Sequence, residues 1–294
     1  MTNIKNIKNK ISSLINTKKI TKTMEMVAIS KMKKFKKKIE TSFSYSKVIE
    51  KVISHVLESP LKYKHIFLIK KKIIKTIGII VISSDKGLCG SLNSNLFKMI
   101  NSIILKYSIQ KIQCRLYVFG QKGLFFFKHI NLFHFSNIIH LTDDINESDL
   151  IKSTEEILEQ YQTNKIDKLF IASNKNDNRV SFKPVLTQIL PFKKDVLDHK
   201  KNKIYKFWDY LYEPNSKIAL DILLKKYILF QIFHSILENM LCEQTSRMIA
   251  MKTASDNSDN ILKELQLIYN KMRQFSITQE ITEIISGASL VSEN

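Results

Sequence analysis

Two long stretches of this chain contain neither glycine nor proline: residues 1 to 59 and residues 215 to 286. All four prolines lie between Pro60 and Pro214, and five of the six glycines lie there too, the sixth being Gly287. Glycine and proline are the residues that interrupt helices, so each end of the chain can run as one helix. The apolar residues support this. Ile4, Ile7, Ile11 and Leu14 are spaced 3, 4, 3, and Ile20, Met24 and Val27 continue the stripe after a short polar break. Phe35, Ile39, Phe43, Ile49, Val52, Ile53, Val56 and Leu57 carry it onward. The period is helical or heptad, not alternating, and Pro60 is a natural stop.

The last 80 residues read the same way. Leu241, Met248, Met251, Leu262, Leu265, Tyr269 and Met272 fit one heptad seam, with Gln244, Ser255 and Ser258 at seam positions between them. Ser-Asp-Asn-Ser-Asp-Asn at 255–260 is the weak spot, because these residues prefer caps to helix interiors. At ~1.5 Å per residue the C-terminal helix would be on the order of 100 Å long and the N-terminal one nearly 90 Å. No compact domain of this size buries such lengths. Two stripes at opposite ends of a chain can bury each other as an antiparallel coiled coil. The expectation is a rod made of residues 1–59 and 211–294, with residues 60–210 carried on it.

The middle is of another kind. Residues 75–85 (KTIGIIVISSD), 114–120 and 168–174 read as strands; 92–107, 121–128 and 147–161 read as helices, the last opened by acidic residues. LFHFS at 132–136 is a further candidate strand. Alternating strands and helices imply a parallel, Rossmann-like α/β sheet. Residues 180–192 and 204–214 look like a hairpin-like excursion before the last helix.

Composition narrows the function classes. The chain has 294 residues, enough for one or two domains, with 44% hydrophobic and 25% charged residues, which suits a soluble globular protein. The net charge is +20, and all but four of the 47 basic residues are Lys. With the abundance of Ile and Asn, codon bias in an AT-rich genome accounts for part of that excess. Residues 1–58 hold 14 Lys against 4 Glu, net +10, whereas residues 211–294 hold 8 basic and 10 acidic residues, net −2. A basic first helix would therefore pair with a slightly acidic last one. Cys89, Cys114 and Cys242 form no CxxC and suit a reducing compartment. The start, MTNIKNIKNK, has neither an apolar signal core nor the Arg/Ser character of a transit peptide. The longest apolar runs fall far short of the roughly 20 residues of a membrane-spanning helix.

The motifs give little chemistry. SSDKGLCGSLN at 83–93 follows a strand and opens a helix, where nucleotide folds hold phosphates. It is neither G-x-G-x-x-G nor a P-loop, and the plainer expectation is a tight turn with glycines at positive φ. The Lys run KMKKFKKK at 31–38 could meet nucleic acid or an anionic surface. It lacks interspersed Arg, and Phe35 fits the buried stripe, so a solvated face or one meeting an acidic protein is the better reading. The seven histidines show no recurring i, i+4 pattern with Glu or Cys. No metal, cofactor or catalytic constellation is expected. RQFSITQEITEIISGASLV at 273–291 keeps an apolar stripe among Thr, Gln and Glu and ends in a small-residue apolar tail. Such a tail at a free tip points to an apolar socket in a partner.

Together these strings resemble the gamma subunit of the bacterial F-type ATP synthase, nearly end to end. The resemblance rests on INTKKITKTMEMVAISKMKK, SSDKGLCGSLNSNLF, KLFIASNK, WDYLYEP, EQTSRMIAMKTASDN and KELQLIYNKMRQFSITQEITEIISGASLV. It implies a central-stalk rotor without a catalytic site, whose terminal helices turn inside a hexamer of alpha and beta subunits. Its α/β foot would rest on the c-ring beside the epsilon subunit, peripheral on the cytoplasmic face of the inner membrane. Membrane contact would be indirect, through the c-ring, with no nucleic acid involved. It implies rotor-to-beta contacts at Met24, Lys31, Lys33, Arg247, Gln274, Thr278 and Glu280, and c-ring-facing residues Tyr210, Tyr212 and Glu213. It implies a bearing tail of Ile284, Ile285, Ala288, Leu290 and Val291, and a helix that runs unbroken through Ser255–Asn260. Two other readings compete: a basic coiled-coil scaffold that binds nucleic acid, and a nucleotide-dependent enzyme built on the α/β domain.

Overall fold

The computed structural model describes residues 2–58, 65–71, 73–128, 147–178, 181–192 and 215–292. The first and last described elements are the long helices: α1, Thr2–Glu58, and α5, Ser216–Ser292. Between them come a short 3₁₀ turn at Ile66–Leu68, β1 (Thr76–Ile82), α2 (Leu92–Ile109), β2 (Gln113–Phe119) and α3 (Gln121–Lys128). Then follow α4 (Glu147–Gln162), β3 (Lys168–Asn178) and β4 (Ser181–Leu190). The candidate strand at 132–136 and the excursion at 204–214 lie outside the described residues. The chain divides into two units: residues 31–246, and residues 1–30 with 247–294.

In the larger unit the four strands lie in the order β2-β1-β3-β4. β1 pairs in parallel with both β2 and β3, with Ile79 opposite Leu116 and Phe170. β4 departs from the expected parallel sheet: it runs antiparallel to β3, from Leu169 opposite Leu190 to Asn178 opposite Ser181. The excursion expected at 180–192 is thus an edge strand. Its partner is the strand just before it, and the short connection allows only an antiparallel pairing.

IGIIVI has no polar alternation because both faces of the sheet are covered. Ile77, Ile79 and Val81 point to one side, with Leu116, Val118, Phe170, the α2 residues Leu96, Phe97 and Ile100, and Phe127 of α3. Ile80 and Ile82 point to the other, with Phe119, Leu169, Ile171 and the α4 residues Leu150, Ile157 and Tyr161. That second core also holds Phe35, Ile49, Ile53 and Val56 of α1 and Leu220, Leu224, Ile228, Ile232 and Ile236 of α5. Both long helices are therefore part of the α/β core. They run antiparallel here: Ser42 contacts His234 at 3.3 Å, the Tyr45 and Phe230 rings meet at a tilt with centroids 5.4 Å apart, and the Tyr227 hydroxyl donates to Glu50 at 3.2 Å. α4 carries Glu147 and Asp149 in its first turn, where carboxylates complement the helix dipole.

The smaller unit consists of the start of α1 and the end of α5. Lys18 pairs with Asp259 across it. On α5 the seam falls as expected: Met251, Ser255, Ser258 and Leu262 are buried, and Leu265, Tyr269 and Met272 are half-buried. The helix does not break at Ser255–Asn260. Ser255 and Ser258 occupy the seam, and the Ser258 hydroxyl bonds back to the Ala254 carbonyl at 2.7 Å.

On α1 the expectation was wrong by one position. Ile20, Met24 and Val27 are exposed, and the buried residues are Thr21, Glu25 and Ala28. Phe43 is exposed as well. The Thr21 hydroxyl is satisfied by the Lys18 carbonyl and the Glu25 carboxylate by Lys22, each at 3.0 Å. Small or internally satisfied side chains let two helices approach closely, and three large apolar ones would hold them apart. Counting outward from Lys18 and Asp259, among the described residues nothing on α1 lies level with α5 beyond about residue 275. That leaves about 25 Å of helix unpaired, and Ile277, Ile281, Ile284 and Ile285 are exposed along it.

Candidate functional site

The loop at 83–93 sits at the carboxyl ends of β1 and β2, where open α/β sheets hold ligands. Its polar groups are spent on itself. The Ser84 amide donates to the Asn93 side-chain oxygen at 3.2 Å, the Asn93 amide nitrogen donates to Ser84 Oγ at 2.6 Å, and Ser84 Oγ donates to the Lys86 carbonyl at 2.8 Å. Ser83 Oγ accepts from the Gly123 amide at 2.9 Å, and Asp85 accepts from the Gln121 amide at 2.8 Å. The amides at the start of α3 already hold a hydroxyl and a carboxylate from this chain, while α2, which the loop itself opens, begins at Ser91 with no side-chain cap. Gly90 has the expected positive φ of 60°, but Gly87 does not, and Leu88 takes the left-handed conformation instead at 64°. Gly120, at 101°, is required for another reason: a Cβ there would lie 2.4 Å from the Ser83 carbonyl oxygen.

At the opposite strand ends a cavity of about 370 Å³ opens among Lys70, Lys71, Asp167, Lys168 and Gln188. Asp167 is its structural keystone. It takes the Lys71 ammonium at 2.8 Å and the amides of Lys75 and Thr76 at 2.8 and 3.0 Å. Burial pushes its carboxyl pKa up, but the Lys71 hydrogen bond and the two amides outweigh that and hold it below the usual range.

On α5, His234 and Glu238 do stand at i, i+4, a pair the sequence reading passed over, with Nε2 and Oε1 3.5 Å apart. Burial raises the Glu238 pKa, while His234 and Lys175 together pull it lower on balance. The neighbouring Cys242 thiol is pushed up to about 12 by burial and then by the Glu238 charge, which makes it a poor nucleophile. Among the described residues there is no cluster of three or more His, Cys, Asp or Glu fit to hold a metal ion. Nor, among them, is any helix long and apolar enough to cross a membrane.

The residues implied by the resemblance lie on helix surfaces, not in a pocket. In the smaller unit, Met24, Gln274, Thr278 and Glu280 are exposed and Arg247 is half-buried. With Lys18 level with Asp259, Met24 and Gln274 stand about 30 Å apart along the pair, so the structure does not gather them. Ser276 Oγ bonds Glu280 at 3.2 Å, and the Thr278 carbonyl accepts from Thr282 at 2.8 Å. In the larger unit Lys33 is exposed and Lys31 half-buried, in a run whose Phe35 is fully buried. Ile284, Ile285 and Ala288 are exposed; Leu290 and Val291 are helical in backbone, with side chains outside the description. Tyr210, Tyr212 and Glu213 lie outside the described residues.

Fold and surface together define a class: an α/β domain built around a pair of antiparallel terminal helices, with the predicted contact residues on helix surfaces. Comparison with known proteins gives the family. The family model described as ATP synthase matches residues 3–291. The "ATP synthase gamma chain" of Buchnera aphidicola subsp. Schizaphis graminum is 51% identical over 294 residues, covering 99% of each chain. That of Buchnera aphidicola subsp. Baizongia pistaciae is 47% identical over 100% of each. A chain of the Euglena gracilis mitochondrial ATP synthase (OSCP/F1/c-ring, rotational state 3) shares the fold with a TM-score of 0.67 at 18% identity, covering 99% of this chain and 95% of that one. A central stalk/c-ring chain of the Tetrahymena thermophila enzyme does so with a TM-score of 0.59 at 23% identity, covering 80% and 99%. The chain belongs to the gamma-chain family of the ATP synthase.

Proposed function

We infer that this chain is the central-stalk rotor of a proton-translocating F-type ATP synthase, carrying c-ring rotation to the catalytic alpha and beta subunits and having no catalytic site itself. The observation that carries this reading is the antiparallel pairing of the two chain ends in a gamma-chain family member. A rotor acts as an allosteric effector: it favours different conformations of its surroundings by differential contact. That demands a stiff, asymmetric body, and two mutually buried helices supply one. In this reading residues 1–59 and 211–294 are the shaft and 60–210 the foot.

The finer assignments follow the family. Met24, Lys31, Lys33, Arg247, Gln274, Thr278 and Glu280 meet the beta subunits, and the Lys-rich face of α1 meets their acidic loops. Tyr210, Tyr212 and Glu213 meet the c-ring, with the epsilon subunit beside the foot. The unpaired end of α5, from Ile284 to Val291, turns in an apolar sleeve, which would cover the isoleucines exposed there. The complex sits on the cytoplasmic face of the bacterial inner membrane, and this subunit reaches the membrane only through the ring. Support for a subunit without chemistry of its own comes from the loop at 83–93, whose Ser83, Ser84 and Asn93 side chains are engaged within the fold.

The test is Met24→Lys in the assembled complex. A charge at this exposed position should leave the chain folded and reduce protons pumped per ATP hydrolysed. An unchanged ratio sinks the Met24 contact. A chain that never co-purifies with alpha and beta subunits sinks the rotor reading.

A further inference from the structure

The crevice at the carboxyl ends of the strands is not empty space beside the long helix; α5 fills it. Asn239, Cys242 and Ser246 stand at i, i+3 and i+7, on one face of the helix. Asn239 is fully buried, and its side-chain oxygen accepts from both the Asn174 amide at 3.2 Å and the Asn174 side chain at 3.0 Å. Cys242 Sγ donates to the Asn174 carbonyl at 3.5 Å. Ser246 Oγ donates to the Cys89 carbonyl at 2.6 Å. Asn174 comes from β3 and Cys89 from the glycine-containing loop after its neighbour β1, so the helix is held by a strand and by the loop beyond the next one. Gly90, beside that carbonyl, leaves room: a Cβ there would lie 3.4 Å from Ser246 Oγ.

We propose that these three contacts are a register pin, fixing the axial position and the rotation of α5 relative to the sheet. Apart from the Lys175–Glu238 ion pair at 3.8 Å, the rest of that interface is mainly Leu, Ile and Met against Ile and Leu, and apolar side chains repack with little preference between neighbouring registers. Hydrogen bonds are directional. A slip of one residue turns a helix by about 100° and lifts all three donors and acceptors off their partners. A buried Asn in an apolar seam is the known device for choosing one register. The loop after β1 thus holds a serine of the chain's own helix through the Cys89 carbonyl. The functional half of the proposal rests on the rotor reading: a rotor whose sheet and helix shared no fixed angle would lose part of each step.

The test uses the full chain in the assembled complex, with Cys114→Ser and spin labels at Ser108→Cys on α2 and Lys226→Cys on α5. The parent should give one narrow distance by pulsed electron resonance. Asn174→Ala/Asn239→Leu/Ser246→Ala should at least double the width of that distribution and at least halve the protons pumped per ATP. If that variant does not assemble, Ser246→Ala alone, at the half-buried end of the pin, should give a smaller broadening that Ser246→Thr reverses. A distribution as narrow as the parent's in an assembled variant overturns the pin. Failure of the rotor reading looks different: the labelled parent itself supports no coupled pumping.

Discussion

The two units bury their helices in opposite ways. In residues 31–246, α1 and α5 bring Phe35, Ile53, Ile232 and Ile236 into a core that also holds a sheet and a third helix. In the unit made by residues 1–30 and 247–294, the same helices bury Thr21, Glu25, Ala28, Ser255 and Ser258 beside two large apolar residues, Met251 and Leu262, and leave Ile20, Met26 and Val27 in the open. Where a third layer is present, large side chains fill the space between layers. Where two helices have only each other, small and self-satisfied residues share the seam with a few large ones such as Met251 and Leu262, while Ile20, Met26 and Val27 turn outward. A hydrophobic residue on the surface of that pair therefore reports what is expected around it, not what holds it together.

The strongest way to break the contrast is a charge in the layered core. Ile80→Asp should cost more than about 4 kcal/mol, because a carboxylate there finds no partner and little water; the check is loss of soluble chain and of the thermal transition. Asp167→Ala comes next, at about 2 kcal/mol, since it strips a hydrogen-bonding partner from the half-buried Lys71 ammonium and from two amides. Its pH signature is fixed in sign. The folded-state pKa of Asp167 is depressed, so its contribution is present above its unfolded value, near about 3.9, and lost as pH falls through the lower folded value. The stability gap between parent and variant should close in acid; a gap that widens there rejects the assignment.

Smaller effects separate the units. Ser258→Leu should push the thin pair apart at a cost of roughly 1–3 kcal/mol. Amide exchange should quicken in residues 1–30 and 247–292 and stay slow in the sheet. Quickening spread over both units would show that they do not respond separately. Least of all, Ile284→Ser/Ile285→Ser should change the melting of the isolated chain by less than about 0.5 kcal/mol, yet weaken its hold in the complex. A large loss of stability in the chain alone would make that tail part of the fold and not a bearing.

Much of this was legible in residue order. The helical ends follow from the missing glycines and prolines, and the three parallel strands from unbroken apolar runs. The α5 seam follows from heptads that tolerate Ser255 and Ser258. The α1 seam was not legible at Ile20, Met24 and Val27, because periodicity finds where apolar residues recur and not which side another helix will cover. The direction of β4 was missed because a strand's partner depends on its connection, not its composition. Lys71 with Asp167 left no signal at a separation of 96 residues. Asn239, set among Ile236, Leu237 and Met240, was the one visible hint that a helix face had a polar appointment.

Ser246 bonded to the carbonyl of Cys89 has a consequence for how such a domain evolves. A guest tethered to its host cannot diffuse away, so no dissociation constant limits its occupancy and no cellular concentration has to be matched. The loop and its guest are joined by the chain itself, always one to one. A substitution on either side of that bond then meets a partner in the same chain, so the loop and the helix change as one unit.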